Sequence, residues 1–134
     1  QTNPFLTLKN VIENDSSDIH IIDFHCETTS EKNALLLSFA GSVGAILGTH
    51  THIQTNDNKI YNGTAYITDV GMTGGSEGII GAEAAPILEV FHQRTEHFKM
   101  SPSNTKYQLN AVVLTFDDIT NRATNIEKIT ILQK

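Results

Sequence analysis

A formal net charge of -6 over 134 residues, with nine Lys and Arg scattered and never in a run, argues against a surface built to grip nucleic acid. The single cysteine, Cys26, rules out an internal disulfide, and no stretch approaches the roughly 18 apolar residues of a membrane span. What remains, at 39% hydrophobic and 18% charged residues, is the composition of a one-core globular chain, expected in the cytoplasm.

The chain opens Gln1-Thr2-Asn3-Pro4-Phe5, without an initiator Met, which suggests a piece of a longer protein. Asn3-Pro4 reads as an N-cap and first helical position. Phe5, Leu8, Val11 and Ile12 then recur at helical spacing, up to the polar cluster Asn14 to Asp18. Ile19, Ile21, Ile22 and Phe24 form a β-branched and aromatic run that stops at His25, a strand. Thr28 and Glu31 stand at capping-box spacing and predict a second helix from about Thr29 to Ala40, bracketed at its end by Gly41 and Gly44. A strand from Ala45 to Leu47 then delivers Gly48 and the pair His50, His52. Strand, helix, strand in this span is a βαβ unit.

Asn56, Asp57, Asn58 and Asn62-Gly63 mark turns, and Ala65 to Thr68 makes a third short strand. D-V-G-M-T-G-G-S-E-G-I-I-G, from Asp69 to Gly81, carries five glycines in thirteen positions and predicts a loop of demanding backbone geometry. A third helix is expected from about Ala84 to His97, with Pro86 in its first turn and Ile87, Val90, Phe91 and Phe98 on its apolar face. After Ser101-Pro102-Ser103, Leu109 to Phe116 and Ile126 to Leu132 read as a terminal β-hairpin turning through Asp117-Asp118 and Asn121.

The histidines carry the chemistry. Past the second strand the segment is extended, and alternation puts His50 and His52 on one face and Thr49 and Thr51 on the other. His25 ends the neighbouring strand, and groups just past the carboxyl ends of parallel strands line the ligand crevice. Three imidazoles converging there would be ligand geometry. His20, His92 and His97, on a strand and a helix, read as structural. Cys26 alternates away from His25 and reads as a small buried hydrophobe. Glu27 returns to the His25 face as an outer-shell acceptor or a solvated carboxylate. Asp69 is an outer-shell group or a turn starter. The glycine-rich loop either cradles a phosphate on its amides, helped by Thr68, Thr73 and Ser76, or is a structural loop; it lacks the ending of a P-loop.

Three stretches, D-F-H-C-E-T-T-S-E-K (Asp23 to Lys32), G-T-H-T-H-I-Q-T (Gly48 to Thr55) and G-T-A-Y-I-T-D-V-G-M-T-G (Gly63 to Gly74), resemble the C-terminal half of the YmdB-type cyclic-nucleotide phosphodiesterases. These are calcineurin-like metallophosphoesterases. The resemblance implies an α/β fold: half of an α/β/β/α sandwich, residues 1–134 forming the C-terminal part of one domain, with a βαβ unit followed by an antiparallel hairpin. It implies two divalent ions (Fe, Mn or Zn), with His25 and His50 on one and His52 on the other. The other ligands and the general-acid His are expected upstream, so no catalytic residue is assigned to this chain. Gly71, Met72, Thr73 and Gly74 are the implied substrate loop. Two departures stand out: Gly75 replaces the family's usual proline, and Ser101 to Gln108 matches little.

The implied activity is hydrolysis of cyclic nucleotides or related phosphodiesters by metal-activated water. The implied partners are a small phosphodiester and the protein's own N-terminal half, with neither membrane nor extended nucleic acid; a homo-oligomer is left open. Three neutral histidines supply no anionic ligand, so this chain alone should bind metal weakly and turn over little. Two rivals are a degenerate domain kept for oligomerisation or regulation, and an amidohydrolase-type hydrolase. The second fits poorly, because such barrels need about 250 residues.

Overall fold

The computed structural model describes residues 3–97 and 99–134, so Phe98, expected on the third helix, lies outside them. The elements run α1 (Pro4–Asn14), β1 (Ile21–His25), α2 (Thr29–Phe39), β2 (Ala45–Thr49), β3 (Lys59–Tyr61), β4 (Thr64–Ile67), β5 (Gly74–Gly75), α3 (Ala84–Phe91), β6 (Tyr107–Phe116) and β7 (Ala123–Leu132). They form a four-stranded sheet in the order β1-β2-β4-β3 and a three-stranded sheet in the order β5-β6-β7.

Helix α1 starts where Asn3-Pro4 predicts. The Asn3 carboxamide accepts from the amides of Phe5 at 2.9 Å and Leu6 at 3.5 Å. Helix α2 begins on time, but its capping box takes another form. The Thr28 hydroxyl donates to the Glu31 carboxylate at 2.7 Å instead of accepting a backbone amide. Cys26 Sγ reaches the same carboxylate at 2.8 Å, so the thiol is a half-buried donor and not the buried hydrophobe expected. These two donors, the thiol first, hold Glu31 below the usual carboxylate range.

Strands β1, β2 and β4 run parallel, with Ile22, Ile46 and Tyr66 in one register row and Ala45 beside Ala65 in the next. Alternation sends the first row to the helices, where it packs with Leu8, Leu35, Leu36 and Val43. The second row faces the other sheet and meets Ala123 and Ile126. Helices, sheet, sheet are thus three layers, and the buried β4 lies at their centre.

Strand β3 is absent from the sequence-based expectation. It pairs antiparallel with β4 through the two-residue loop Asn62-Gly63, whose φ of 49° and 78° suit the tight hairpin that Asn-Gly favours. Helix α3 stops at Phe91, six residues short of the expected end, and His97 therefore lies beyond it. Gln93 takes the left-handed conformation, φ 57°, and the amides of Gln93 and Arg94 reach back to Val90 and Glu89. That is a helix stop made without glycine. No described helix is long and apolar enough to cross a membrane.

Leu36 is buried and its neighbour Leu37 is 66% exposed. Leu36→Ala should therefore lower stability by about 2–5 kcal/mol and Leu37→Ala by less than about 0.5 kcal/mol, measured by urea unfolding.

Candidate functional site

The carboxyl ends of β1 and β2 lie side by side, with His25 in register with Thr49. Asp23, two residues before His25 on the same face, accepts the Thr49 hydroxyl proton at 2.9 Å. That spends the only hydrogen of Thr49 Oγ1, so its contact of 3.1 Å with His25 Nδ1 must be one in which the ring N–H donates. The lone pair of His25 is thereby placed on Nε2, which faces His50 Nδ1 at 3.2 Å. The two rings meet edge to face with centroids 5.0 Å apart. A carboxylate, through a hydroxyl, sets the tautomer of His25 as outer-shell groups do for metal-binding imidazoles. Glu27 does not fill this role: it lies exposed past the strand, and Thr49 supplies the contact.

His50 and His52 do not share a face by strand alternation. β2 ends at Thr49, and both residues have positive φ, 118° and 65°. His50 turns toward His25. His52 donates from Nδ1 to the carbonyl of Ile80 at 2.8 Å, which leaves its lone pair on Nε2. The structure thus brings two of the three histidines together and sends the third to the glycine-rich loop. Among the described residues no three His, Cys, Asp or Glu side chains form a group able to hold a metal ion.

What holds this bend is a buried ion pair that the sequence reading did not use. Lys32 and Asp69 are both fully buried, with Nζ 3.3 Å from Oδ2. Lys32 also donates to the Thr49 carbonyl at 2.8 Å. Asp69 accepts the Thr51 amide at 2.8 Å and the Gly71 amide at 2.9 Å. Burial pushes the Asp69 carboxyl upward, but the amides of Thr51 and Gly71 and the ammonium of Lys32 outweigh it and hold it below the ordinary range. Asp69 is therefore the clamp on the residue between the two histidines. The signal for Lys32 was present: it stands in helical line with Leu35, Leu36 and Phe39, and a lysine on a buried stripe requires an acid. Gly48 makes room, since a Cβ there would lie 1.8 Å from the Thr68 carbonyl and 3.0 Å from the Lys32 stem.

Gln54 was also missed. Its amide nitrogen lies 3.1 Å from the carbonyls of Val70 and Ala111 and 3.4 Å from that of Ile129, and its oxygen accepts from Thr130 at 2.9 Å. The histidine loop is thereby tied to both strands of the terminal hairpin. Of the four expected loop residues, Met72, Thr73 and Gly74 line a cleft of about 550 Å³ together with His52. Gly71 does not; it packs on Asn110.

An open, mostly parallel sheet carrying paired histidines at its strand ends, backed by a second sheet, defines an α/β chain and excludes the closed barrel of an amidohydrolase. The chain belongs to the YmdB-like protein family, whose model matches residues 1–129. It is 46% identical over 133 residues to a Mycoplasma genitalium protein named, provisionally, a phosphatase/phosphodiesterase, covering 98% of this chain and 47% of that one. It is 47% identical over 111 residues to the Bacillus subtilis 2′,3′-cyclic-nucleotide 2′-phosphodiesterase, covering 82% and 42%. A crystal structure of a Mycoplasma pneumoniae protein described as a novel phosphatase superposes with a TM-score of 0.92 at 43% identity, over 98% of this chain and 47% of that chain. The chain spans about half the length of the curated relatives it matches.

The depressed Asp69 pKa has a definite sign. Its stabilising contribution is complete above the unfolded carboxyl value of about 3.9 and is lost as pH falls through the lower folded value. Asp69→Asn should flatten the fall of stability in that acid window, as read by urea midpoints between about pH 2 and pH 5; an unchanged slope would show that other carboxyls govern it.

Proposed function

We propose that this chain is the C-terminal half of a metal-dependent phosphodiesterase domain acting on cyclic nucleotides. The reading is supported by its family, by relatives named phosphatase or phosphodiesterase, and above all by one observation: the facing nitrogens of His25 and His50. Two imidazole nitrogens each about 2.1 Å from one cation lie about 3.0–3.4 Å apart at tetrahedral or smaller angles. The pair stands at 3.2 Å, with the His25 tautomer already set by Thr49 and Asp23.

His25 and His50 would hold one ion, and His52, through Nε2, a second. The donor set here is neutral and incomplete, so the carboxylates that would finish both shells belong to polypeptide outside this chain. When bound, a pair of divalent ions supplies an activated water and offsets charge on the phosphate oxygens. This chain's share is to aim the rings: Asp23 through Thr49 orients His25, the Lys32–Asp69 pair fixes the turn that presents His50, and Ile80 orients His52.

In the intact protein, His50→Ala should lower hydrolysis of a 2′,3′-cyclic nucleotide by about two orders of magnitude or more with the circular dichroism spectrum unchanged, and chelation followed by Mn²⁺ or Zn²⁺ should remove and restore activity. A variant with near-normal, chelator-resistant turnover defeats the reading, and an inactive parent favours the degenerate-domain alternative. Thr49→Val should weaken metal affinity about 10–100-fold, measured by competition with a chromogenic chelator, while His25 remains in place.

A further inference from the structure

The cleft beside His52 has a wall that local backbone rules disfavour. Ile80-Gly81 is the two-residue loop of a tight turn, closed by paired bonds of 2.9 Å between Ile79 and Ala82, with φ of 43° and 90°. Asn-Gly is the favoured pair in such a turn, as it is at Asn62-Gly63, and a β-branched residue at positive φ is a genuine outlier. The His52 contact does not account for it, because that bond uses the Ile80 carbonyl, which any residue provides. What Ile80 adds is an apolar side chain on the cleft, whose lining also includes Met72, Met100 and Tyr107. Tyr107, Met100 and Ile80 are each at least half exposed. An exposed aromatic ring sharing a cleft with two thioethers and a branched alkyl group suits a flat apolar ring, and the polar lining at Thr73 and Asn104 suits its edge.

We propose that this cleft is a nucleobase site, with Tyr107 as the stacking surface and Ile80 as part of the apolar wall. It rests on the phosphodiesterase reading above and adds the part of the substrate that carries no phosphate. His52 lies on the cleft lining, so the base would sit next to the phosphate-handling end of the site. The chain's two methionines, Met72 and Met100, both lie on the cleft and serve as probes.

The test uses the intact protein with ¹³C-labelled methionine methyl groups, the Met72 and Met100 signals picked out from any others with Met72→Leu and Met100→Leu. Adenosine 2′- or 3′-monophosphate should shift both signals through the ring current of the base, and inorganic phosphate should not. No shift with the nucleotide, or an equal shift with phosphate, overturns the proposal. Kinetics give a second arm. Tyr107→Ala and Ile80→Asn should each lower the ratio of kcat/KM for 2′,3′-cyclic AMP to that for ethylene phosphate, a cyclic diester without a base, by about five-fold or more, the lower range for one lost base–aromatic stack. Tyr107→Phe should keep the ratio. A ratio unchanged in both variants overturns the base site and leaves the phosphodiesterase reading standing. A parent that hydrolyses neither diester removes the phosphodiesterase reading, and the methyl shifts then decide the base site alone.

Discussion

The site depends on one buried ion pair. Lys32 and Asp69 are wholly removed from water, and a pair so placed contributes little net stability, because desolvation offsets attraction. Its effect is geometric. Three segments meet at it: helix α2, the end of β2 through Thr49, and the turn after β4 through Asp69. The pair's other hydrogen bonds, to the Thr49 carbonyl and the Thr51 and Gly71 amides, go to backbone near the histidines, so the register of β2 against β4 and the direction of His50 are set together. No buried side-chain nitrogen or oxygen among the described residues lacks a partner, as so costly an arrangement requires.

Much of this architecture was legible. The Asn3-Pro4 start, the β-branched run to His25 and the terminal hairpin are local signals, and tertiary packing agrees with each. Failures came where one residue did what its type seldom does. Gln93 ended α3 in a conformation that usually takes glycine, and the three exposed residues of β3 gave no pattern to read. The shared face of His50 and His52 assumed extended backbone, whereas both have positive φ. Their geometry was not legible, because the directing groups, Asp69 and Ile80, lie far along the chain.

The glycine-rich loop and the segment around Ser103 meet at Gly75. In the fold, a Cβ on Gly75 would come within 2.4 Å of the Ser103 carbonyl. Ser103 is itself buried, its hydroxyl donating to the Glu77 carbonyl. A side chain at position 75 has no room there, so glycine lets the loop close on Ser103.

Strand β1 closes one side of the four-stranded sheet and, among the described residues, pairs with β2 alone. Its outward amides and carbonyls form a short template beside the exposed Ile21, without a proline or lysine to deter another strand. Production of these 134 residues by themselves thus carries a solubility hazard written into the backbone: two copies can satisfy the same row of hydrogen-bonding groups by adding to each other's margins.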